Sequence, residues 1–343
     1  MSDQNFIVTG GAGFVGSNLV AELLRRFPGC HVVVLDDLRS GSFANIVQAC
    51  ERKDVGAFPG RLIPASISDF DLEWLVESYA PRAVFHLAAI TDTTVMSEPE
   101  MIRVNAESFP PLLDACREHK APLVYASSAA TYGTPPQTAL RRPFPLAAAG
   151  QPNNVYGFSK WLLESHHRVL GARIAKETGK VPHVVGLRYF NVFGPGESRK
   201  GKMASMVFQL ATQMLAGQRP RIFADGTQSR DQVYVDDVVD CTIHAAGLSG
   251  AKVTPGIYNL GSGTPTSFLD IVASLRAALD LPESRLPTDL FEMPASVRAF
   301  YQDFTLADMS ETKKGLGWEP KWKPRDAIAA YAKDLLRSRK ASG

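Results

Sequence analysis

Thr9-Gly10-Gly11-Ala12-Gly13-Phe14-Val15-Gly16 decides the fold of this chain. It follows a short β-branched run, Phe6-Ile7-Val8, and opens a stretch whose spacing predicts a helix over Phe14–Arg26. The positions of Gly10, Gly13 and Gly16 have a physical reading. The first allows a tight turn, the second lets backbone amides approach a pyrophosphate, and the third lets the helix pack closely on a sheet. The free amides and positive end of the helix then face the phosphates. A merely structural glycine turn would not also predict the acid that follows. That acid is Asp36, at the end of the next strand run, His31–Leu35, where a carboxylate can accept hydrogen bonds from an adenosine ribose.

Outward from this loop, short β-branched runs alternate with longer amphipathic stretches. Strands are predicted at Phe6–Val8, His31–Leu35, Leu62–Pro64, Ala83–Leu87, Leu123–Ala126 and His183–Leu187. Helices are predicted at Phe14–Arg26, Leu72–Tyr79, Met101–His119 and Tyr156–Thr178. That alternation implies an α/β fold, a Rossmann-type doubly wound parallel sheet. After Phe190 the pattern loosens, with helical pieces near Ser205–Ala216, Val235–Ala246, Ser267–Leu279 and Arg325–Arg337. The expected organisation is a dinucleotide-binding domain over 1–189, to which 232–250 returns. A smaller C-terminal substrate-binding lobe takes 190–231 and 251–343. The stretch Ser40–Gly60 reads as an irregular surface excursion.

The 343 residues carry 37 Lys+Arg against 35 Asp+Glu, a formal charge of +2, so the whole chain offers no argument for nucleic acid as a partner. No apolar run is long enough for a membrane span, and the N-terminus enters a strand rather than a signal peptide. Cys30, Cys50, Cys116 and Cys241 are scattered, without a CxxC pair or a histidine at metal-ligand spacing, so no metal is expected. They read as structural thiols of a cytoplasmic protein. A homo-oligomer is expected.

Tyr156 and Lys160 stand four residues apart, on one face of a predicted helix. A lysine cation there stabilises a phenolate and lowers the tyrosine pKa, and Lys160 can also bind the cofactor by a hydrogen bond to the nicotinamide ribose. Such a phenolate can take a proton from a hydroxyl as hydride leaves its carbon. Ser128 ends the fifth predicted strand, facing the crevice where ligands bind in such sheets, and is placed to bond the reacting oxygen. Ala129, Ala130 and Thr131 include no carboxylate, which argues against elimination of water. Asp36 favours NAD. Arg39 could instead pair with the 2′-phosphate of NADP, or be a solvated loop arginine.

These segments resemble the extended short-chain dehydrogenase/reductases of the nucleotide-sugar epimerase/dehydratase superfamily. The resemblance runs from about Phe6 to about Tyr331. It rests on TGGAGFVG, HLAA at His86–Ala89, SSAATYG at Ser127–Gly133, NVYGFSK at Asn154–Lys160, RYFNVFGP at Arg188–Pro195 and SRDQVYVDDV at Ser229–Val238. GPGESRKGKMASM at Gly194–Met206, YQDFTLAD at Tyr301–Asp308 and the SSAATYG form resemble the ADP-L-glycero-D-manno-heptose 6-epimerase family. That narrower resemblance implies tightly held NADP, transient oxidation of a sugar carbon and return of hydride to its other face. The substrate would be a nucleotide-diphosphate sugar. The catalytic groups it implies are Tyr156 and Lys200. The cofactor would be lined by Phe14, Val15, Asp36, Asp37, Leu87, Ala88, Ala89, Asn105 and Val192, and the substrate by Asn191, Lys202, Gln209, Phe223, Arg230 and Tyr301. Gln232 stands where an aromatic is usual, Gln209 replaces a histidine, and Lys202 replaces a small residue.

Two of these residues have competing readings. The like charges of Arg199 and Lys202 depress the Lys200 pKa and favour a base; the alternative is a basic loop that only attracts the diphosphate. Arg230 suits a bidentate diphosphate contact; the alternative is an ion pair with Asp231 or Asp236. For the whole chain, a UDP-sugar 4-epimerase is the second enzymatic reading, and a non-catalytic NAD(P)-binding sensor or scaffold the reading of another class.

Overall fold

The computed structural model describes residues 4–92, 97–248, 250, 252–294 and 301–342. The first part of the chain runs β1 (Asn5–Thr9), α1 (Phe14–Arg26), β2 (His31–Leu35), α2 (Phe43–Arg52), β3 (Arg61–Ile63), α3 (Leu72–Tyr79), β4 (Ala83–His86), α4 (Glu98–Ile102), α5 (Phe109–Glu118), β5 (Leu123–Ser128), α6 (Pro136–Leu140), α7 (Val155–Thr178) and β6 (Val184–Tyr189). It continues as β7 (Asn191–Phe193), α8 (Met206–Leu215), β8 (Arg221–Phe223), β9 (Ser229–Tyr234), α9 (Val235–Ala245), β10 (Gly256–Leu260), β11 (Pro265–Ser267), α10 (Phe268–Leu279), β12 (Asp289–Phe291), α11 (Ser310–Leu316) and α12 (Pro324–Ser342).

Seven parallel strands form the main sheet in the order β10-β6-β5-β4-β1-β2-β3. Their side chains alternate between two buried faces. Phe6, Val8, Val32 and Val34 join one hydrophobic cluster, whereas Ile7, Val33 and Val84 join the other. Covering both faces is why these strands read as near-continuous apolar runs. The reversal of strand order beside β1 opens a crevice at the strand ends.

Three expectations need correction. Met101–His119 is not one helix. A π-helical turn at Arg103–Glu107 separates α4 from α5, which restarts with proline in its first turn. Pro110 and Pro111 have no N–H to continue the ladder, so the helix must break before them. Ser40–Gly60 holds α2, capped by the Ser42 side chain, which accepts from Ala44 N. Its Ile46, Ala49 and Cys50 are buried, and the helix packs against α1. Residues 256–260, expected in the lobe, form an edge strand of the main sheet through parallel pairing with β6.

The lobe contains a sheet of order β11-β9-β7 and a pair β12-β8. Two buried polar side chains stitch it to the main sheet. Asn259 on β10 donates to Phe144 O at 2.9 Å and Asp308 O at 3.1 Å, and accepts from the Tyr132 hydroxyl at 2.7 Å. Asp231 accepts from Ser262 N at 2.6 Å, Gly263 N at 3.0 Å and Ala307 N at 3.0 Å. Burial pushes its carboxyl up, and these amide bonds oppose that. The four cysteines are buried, unpaired thiols. No helix among the described residues is long and apolar enough to cross a membrane.

Candidate active site

A cleft of about 970 Å³ opens at the strand ends, between the main sheet and the lobe. The glycine loop forms one end. Gly10 has φ 70°, and a Cβ there would lie 2.6 Å from the backbone nitrogen of Ala88. Only glycine allows both that conformation and that approach. No side chain caps α1 and no acid occupies its first turn, which leaves the leading amides for an anion. Asp36 is buried and accepts from Ala12 N at 2.9 Å and Leu38 N at 2.8 Å. Burial raises its carboxyl and the two amide bonds oppose the rise. Asp36 therefore shapes the glycine loop as well as facing the cleft. Gly13, Phe14, Val15, Gly16, Asp37, Leu87, Ala88, Ala89 and Val192 line the same cleft. A cradle that a Cβ would fill, uncapped helix amides and a strand-end carboxylate fit a dinucleotide.

Arg39 also lines the cleft, but its guanidinium is ion-paired with Glu100 at 2.8 Å and Asp37 at 3.5 Å. Asn105 does not line it. Its amide accepts from Ile90 N at 2.7 Å and donates to Ile90 O at 2.9 Å and the Ser159 hydroxyl at 3.0 Å. Asn105 supports the wall behind the cleft, tying the segment after β4 to α7.

Helix α7 carries the tyrosine and lysine. Asn154 caps it, accepting from Gly157 N at 2.8 Å. Gly157 lets the helix press on the turn after β5, where a Cβ would lie 2.5 Å from Ala130 O. That approach brings the Tyr156 phenol into a hydrogen bond with the Ser128 hydroxyl. Burial raises the phenol pKa, and the Ser128 bond opposes it. The expected lowering of Tyr156 by Lys160 is therefore not found. The Lys160 ammonium, 2% exposed, donates instead to Ala126 O at 2.9 Å. Burial lowers its pKa to about 8, against the opposing charge of Glu164 one turn on. Glu164 is buried too, and accepts from the Ser127 hydroxyl at 2.6 Å and from Arg188 Nε and Nη2, each at 2.8 Å.

The far wall is cationic and aromatic. Lys200, on the loop after β7, lies 5.5 Å from the Phe14 ring centroid. Burial, not the neighbouring Arg199 and Lys202, lowers its pKa, and Glu197 opposes the shift. The Glu197 carboxylate is buried and accepts from Gly194 N at 3.0 Å and Ser205 N at 2.6 Å, so it fixes the loop that carries Lys200. Arg230 stacks over Tyr301 at 5.0 Å, and Tyr301 meets Phe223 edge-on at 5.5 Å. Arg230 makes neither expected ion pair. Asp231 is taken up by backbone amides, and Asp236 binds Lys53 at 2.9 Å.

Asn191, Phe223, Arg230 and Tyr301 thus share the cleft with Ser128, Tyr156, Lys160 and Lys200. Lys202 and Gln209 do not line it. Lys202 is exposed, and Gln209 braces the loop from behind, donating to Ala204 O at 2.7 Å. Arg199, Asn154, Gln232 and Phe268 line it without having been expected there. Gln232 had a legible signal, since it lies two residues after Arg230 on a strand and so shares its face. Asn154 had one as well, as an N-cap type just before a predicted helix. Phe268 had none, because it reaches the cleft only through packing of the lobe.

A tyrosine hydrogen-bonded to a serine beside a dinucleotide cradle suits hydride chemistry at a hydroxyl-bearing carbon, and the cations opposite suit an anionic substrate. Fold and site define a nicotinamide-dependent enzyme. Residues 6–261 match the NAD dependent epimerase/dehydratase family, and the chain belongs to it as a sugar-nucleotide epimerase. It is 35% identical to the ADP-L-glycero-D-manno-heptose-6-epimerase of Cupriavidus pinatubonensis over 97% of this chain and 99% of that protein. The crystal structure of the Helicobacter pylori ADP-L-glycero-D-manno-heptose-6-epimerase superposes with a TM-score of 0.81 at 32% identity, covering 97% of this chain and 96% of that one. The Bacillus cereus UDP-glucuronic acid 4-epimerase, solved with UDP-glucuronic acid and NAD, superposes with a TM-score of 0.76 at 25% identity, covering 97% and 100%.

Proposed function

We propose that this enzyme inverts carbon 6 of an ADP-glycero-manno-heptose by oxidising and re-reducing it, with NADP as the bound cofactor. One observation carries the reading beyond the family. Tyr156 at the start of α7 and Lys200 on the loop after β7 line a single cleft from different elements. Inverting a carbon that stays in place calls for acid–base groups in two positions. A 4-epimerase whose sugar turns over as a whole needs only Tyr156. The full-length similarity to two proteins named as heptose 6-epimerases supports the same choice.

A nicotinamide held by the glycine loop and the strand-end carboxylate would supply the hydride acceptor and donor. Tyr156, as phenolate, takes the proton from the sugar hydroxyl while Ser128 holds that oxygen, and the hydride leaves the same carbon. The resulting ketone turns and presents its other face. Hydride returns to the carbon, and Lys200 gives a proton to the oxygen on its new side. Hydride leaves and returns, so the redox balance closes. One forward turn leaves Tyr156 protonated and Lys200 neutral, and proton exchange with solvent restores both, while in the reverse direction the two groups exchange roles. Lys160 holds a cationic donor beside the cofactor, and Arg230 faces the diphosphate.

Asp36, Asp37 and Glu100 around Arg39 favour NAD as a second reading of the cofactor, since carboxylates repel a 2′-phosphate. Release of the cofactor and its identification by mass separate the two. For the reaction, Lys200→Met is the decisive variant. With ADP-D-glycero-manno-heptose, followed by NMR, kcat falls by about a hundredfold or more. Turnover near wild type overturns the two-base mechanism. A rise in KM alone reduces Lys200 to an anchor for the diphosphate.

A further inference from the structure

The lobe sheet turns one face to the cleft. Asn191 on β7 and Gln232 on β9 are register partners on neighbouring parallel strands, and both line the cleft. Arg230, two residues earlier on β9, lines it as well, since alternate strand residues share a face. Asn191 accepts from the Thr305 hydroxyl at 3.3 Å, and Arg230 is stacked on Tyr301 at 5.0 Å. Gln232 is different. It is 2% exposed, and its Oε1 is buried without a donor among the described residues. A buried acceptor left unpaired costs about 1–3 kcal/mol, and most such groups in folded proteins have a partner. Neighbouring Asp231 has a structural role, gathering three backbone amides. Among the described residues, none donates to the Gln232 carboxamide oxygen.

Place and chemistry narrow what it meets. Ser128 is the register partner of Tyr189, and Asn191 follows two residues later. Gln232, across the ladder from Asn191, therefore stands on the side of the lobe sheet next to the reacting end of the cleft. A carbonyl oxygen repels phosphate oxygens, so a diphosphate does not satisfy it; the guanidinium of Arg230 suits that group. A sugar hydroxyl both donates and accepts, which matches both ends of a carboxamide.

We infer that Gln232 is a specificity residue whose side-chain amide hydrogen-bonds a hydroxyl of the sugar part of the substrate. This rests on the sugar-nucleotide reading of the cleft, but not on which sugar is turned over. It predicts that Gln232 discriminates a sugar nucleotide from the bare nucleotide.

The test compares wild type with Gln232→Met, both as holoenzyme, by calorimetric titration with ADP and with ADP-mannose. In the variant, ADP binding stays within about twofold, while ADP-mannose binding weakens about tenfold, the worth of one good hydrogen bond. The unliganded melting temperature holds or rises, because the orphan acceptor is gone. Equal weakening for both ligands places the contact on the nucleotide and overturns the inference. So does unchanged binding of both. If wild type prefers UDP-glucose to ADP-mannose, the adenosine assignment fails separately, and UDP with UDP-glucose then score Gln232 by the same criterion. Gln232→Leu provides the same comparison should the methionine variant not fold.

Discussion

Lys160 shows how the role proposed for one residue runs against stability. Its folded pKa is depressed to about 8 by burial, from an ordinary 10.5. Between those values the unfolded chain binds a proton that the folded chain does not, so stability rises with pH across that window. Below about pH 8 both states are protonated, and the folded state bears the full penalty of a buried ammonium. Replacing Lys160 with Met removes this linkage. Wild type should gain on Lys160→Met by on the order of 3 kcal/mol as pH rises from about 8 to 10.5. Denaturant unfolding of both proteins at a series of pH values measures it, and parallel curves would reject it. Lys160 carries this penalty in the cleft proposed to hold the cofactor, and burial likewise raises the Tyr156 phenol.

At the scale of elements, α7 and its cap place Tyr156, the proposed proton acceptor. Asn154 accepts from Gly157 N at 2.8 Å, and Gly157 seats the helix on Ala130. Loss of an N-cap side chain costs about 1 kcal/mol. Asn154→Ala should lower stability by about that amount, seen as a lower melting temperature, and should lower kcat by loosening the first turn that holds Tyr156. An unchanged kcat alongside the expected loss of stability would show that the cap serves the helix alone. Much of this scale is legible in the amino-acid order, because caps, glycine turns and periodicity act over a few residues. α2 was legible too, since Phe43, Ile46, Val47 and Cys50 follow Ser42 at helical spacing. The break before α5 could likewise be inferred from Pro110 and Pro111.

Across the whole molecule, buried polar groups join α7 to the lobe. Glu164 on α7 binds Arg188 on β6 through two bonds of 2.8 Å. Arg188 also donates to the Tyr132 hydroxyl at 3.0 Å, and Tyr132 donates to Asn259 at 2.7 Å. Arg188→Met leaves a buried carboxylate whose remaining hydrogen bonds, among the described residues, come from Ser127 and, at 3.2 Å, from Arg168, with the Lys160 charge one turn away. Breaking a buried pair in this way costs about 3–5 kcal/mol. Denaturant unfolding should show that loss, and the double variant Glu164→Gln, Arg188→Met should recover part of it by removing the stranded charge. A loss of less than about 1 kcal/mol, the range of a surface pair, would show that the network is not holding the two parts together.

The order of the residues alone determined the glycine loop, the strand–helix alternation and the Tyr156–Lys160 pair, because each depends on spacing within a turn or a strand. It also marked the loop that carries Lys200. Tertiary structure decided what those signals could not reach. Gly256–Leu260 becomes an edge strand only because β6 offers it a partner. Asn105 and Gln209 turn their amides to backbone beside the cleft, and Lys202 points to solvent. Burial, which no local pattern measures, lowers Lys160 and Lys200 and raises Tyr156. The glycine loop after β1 is likewise complete only in three dimensions, where Asp36 accepts from Ala12 N and the backbone of Ala88 closes against Gly10. Spacing along a chain encodes local geometry, whereas a site is made by groups far apart in sequence that exclude water from one another.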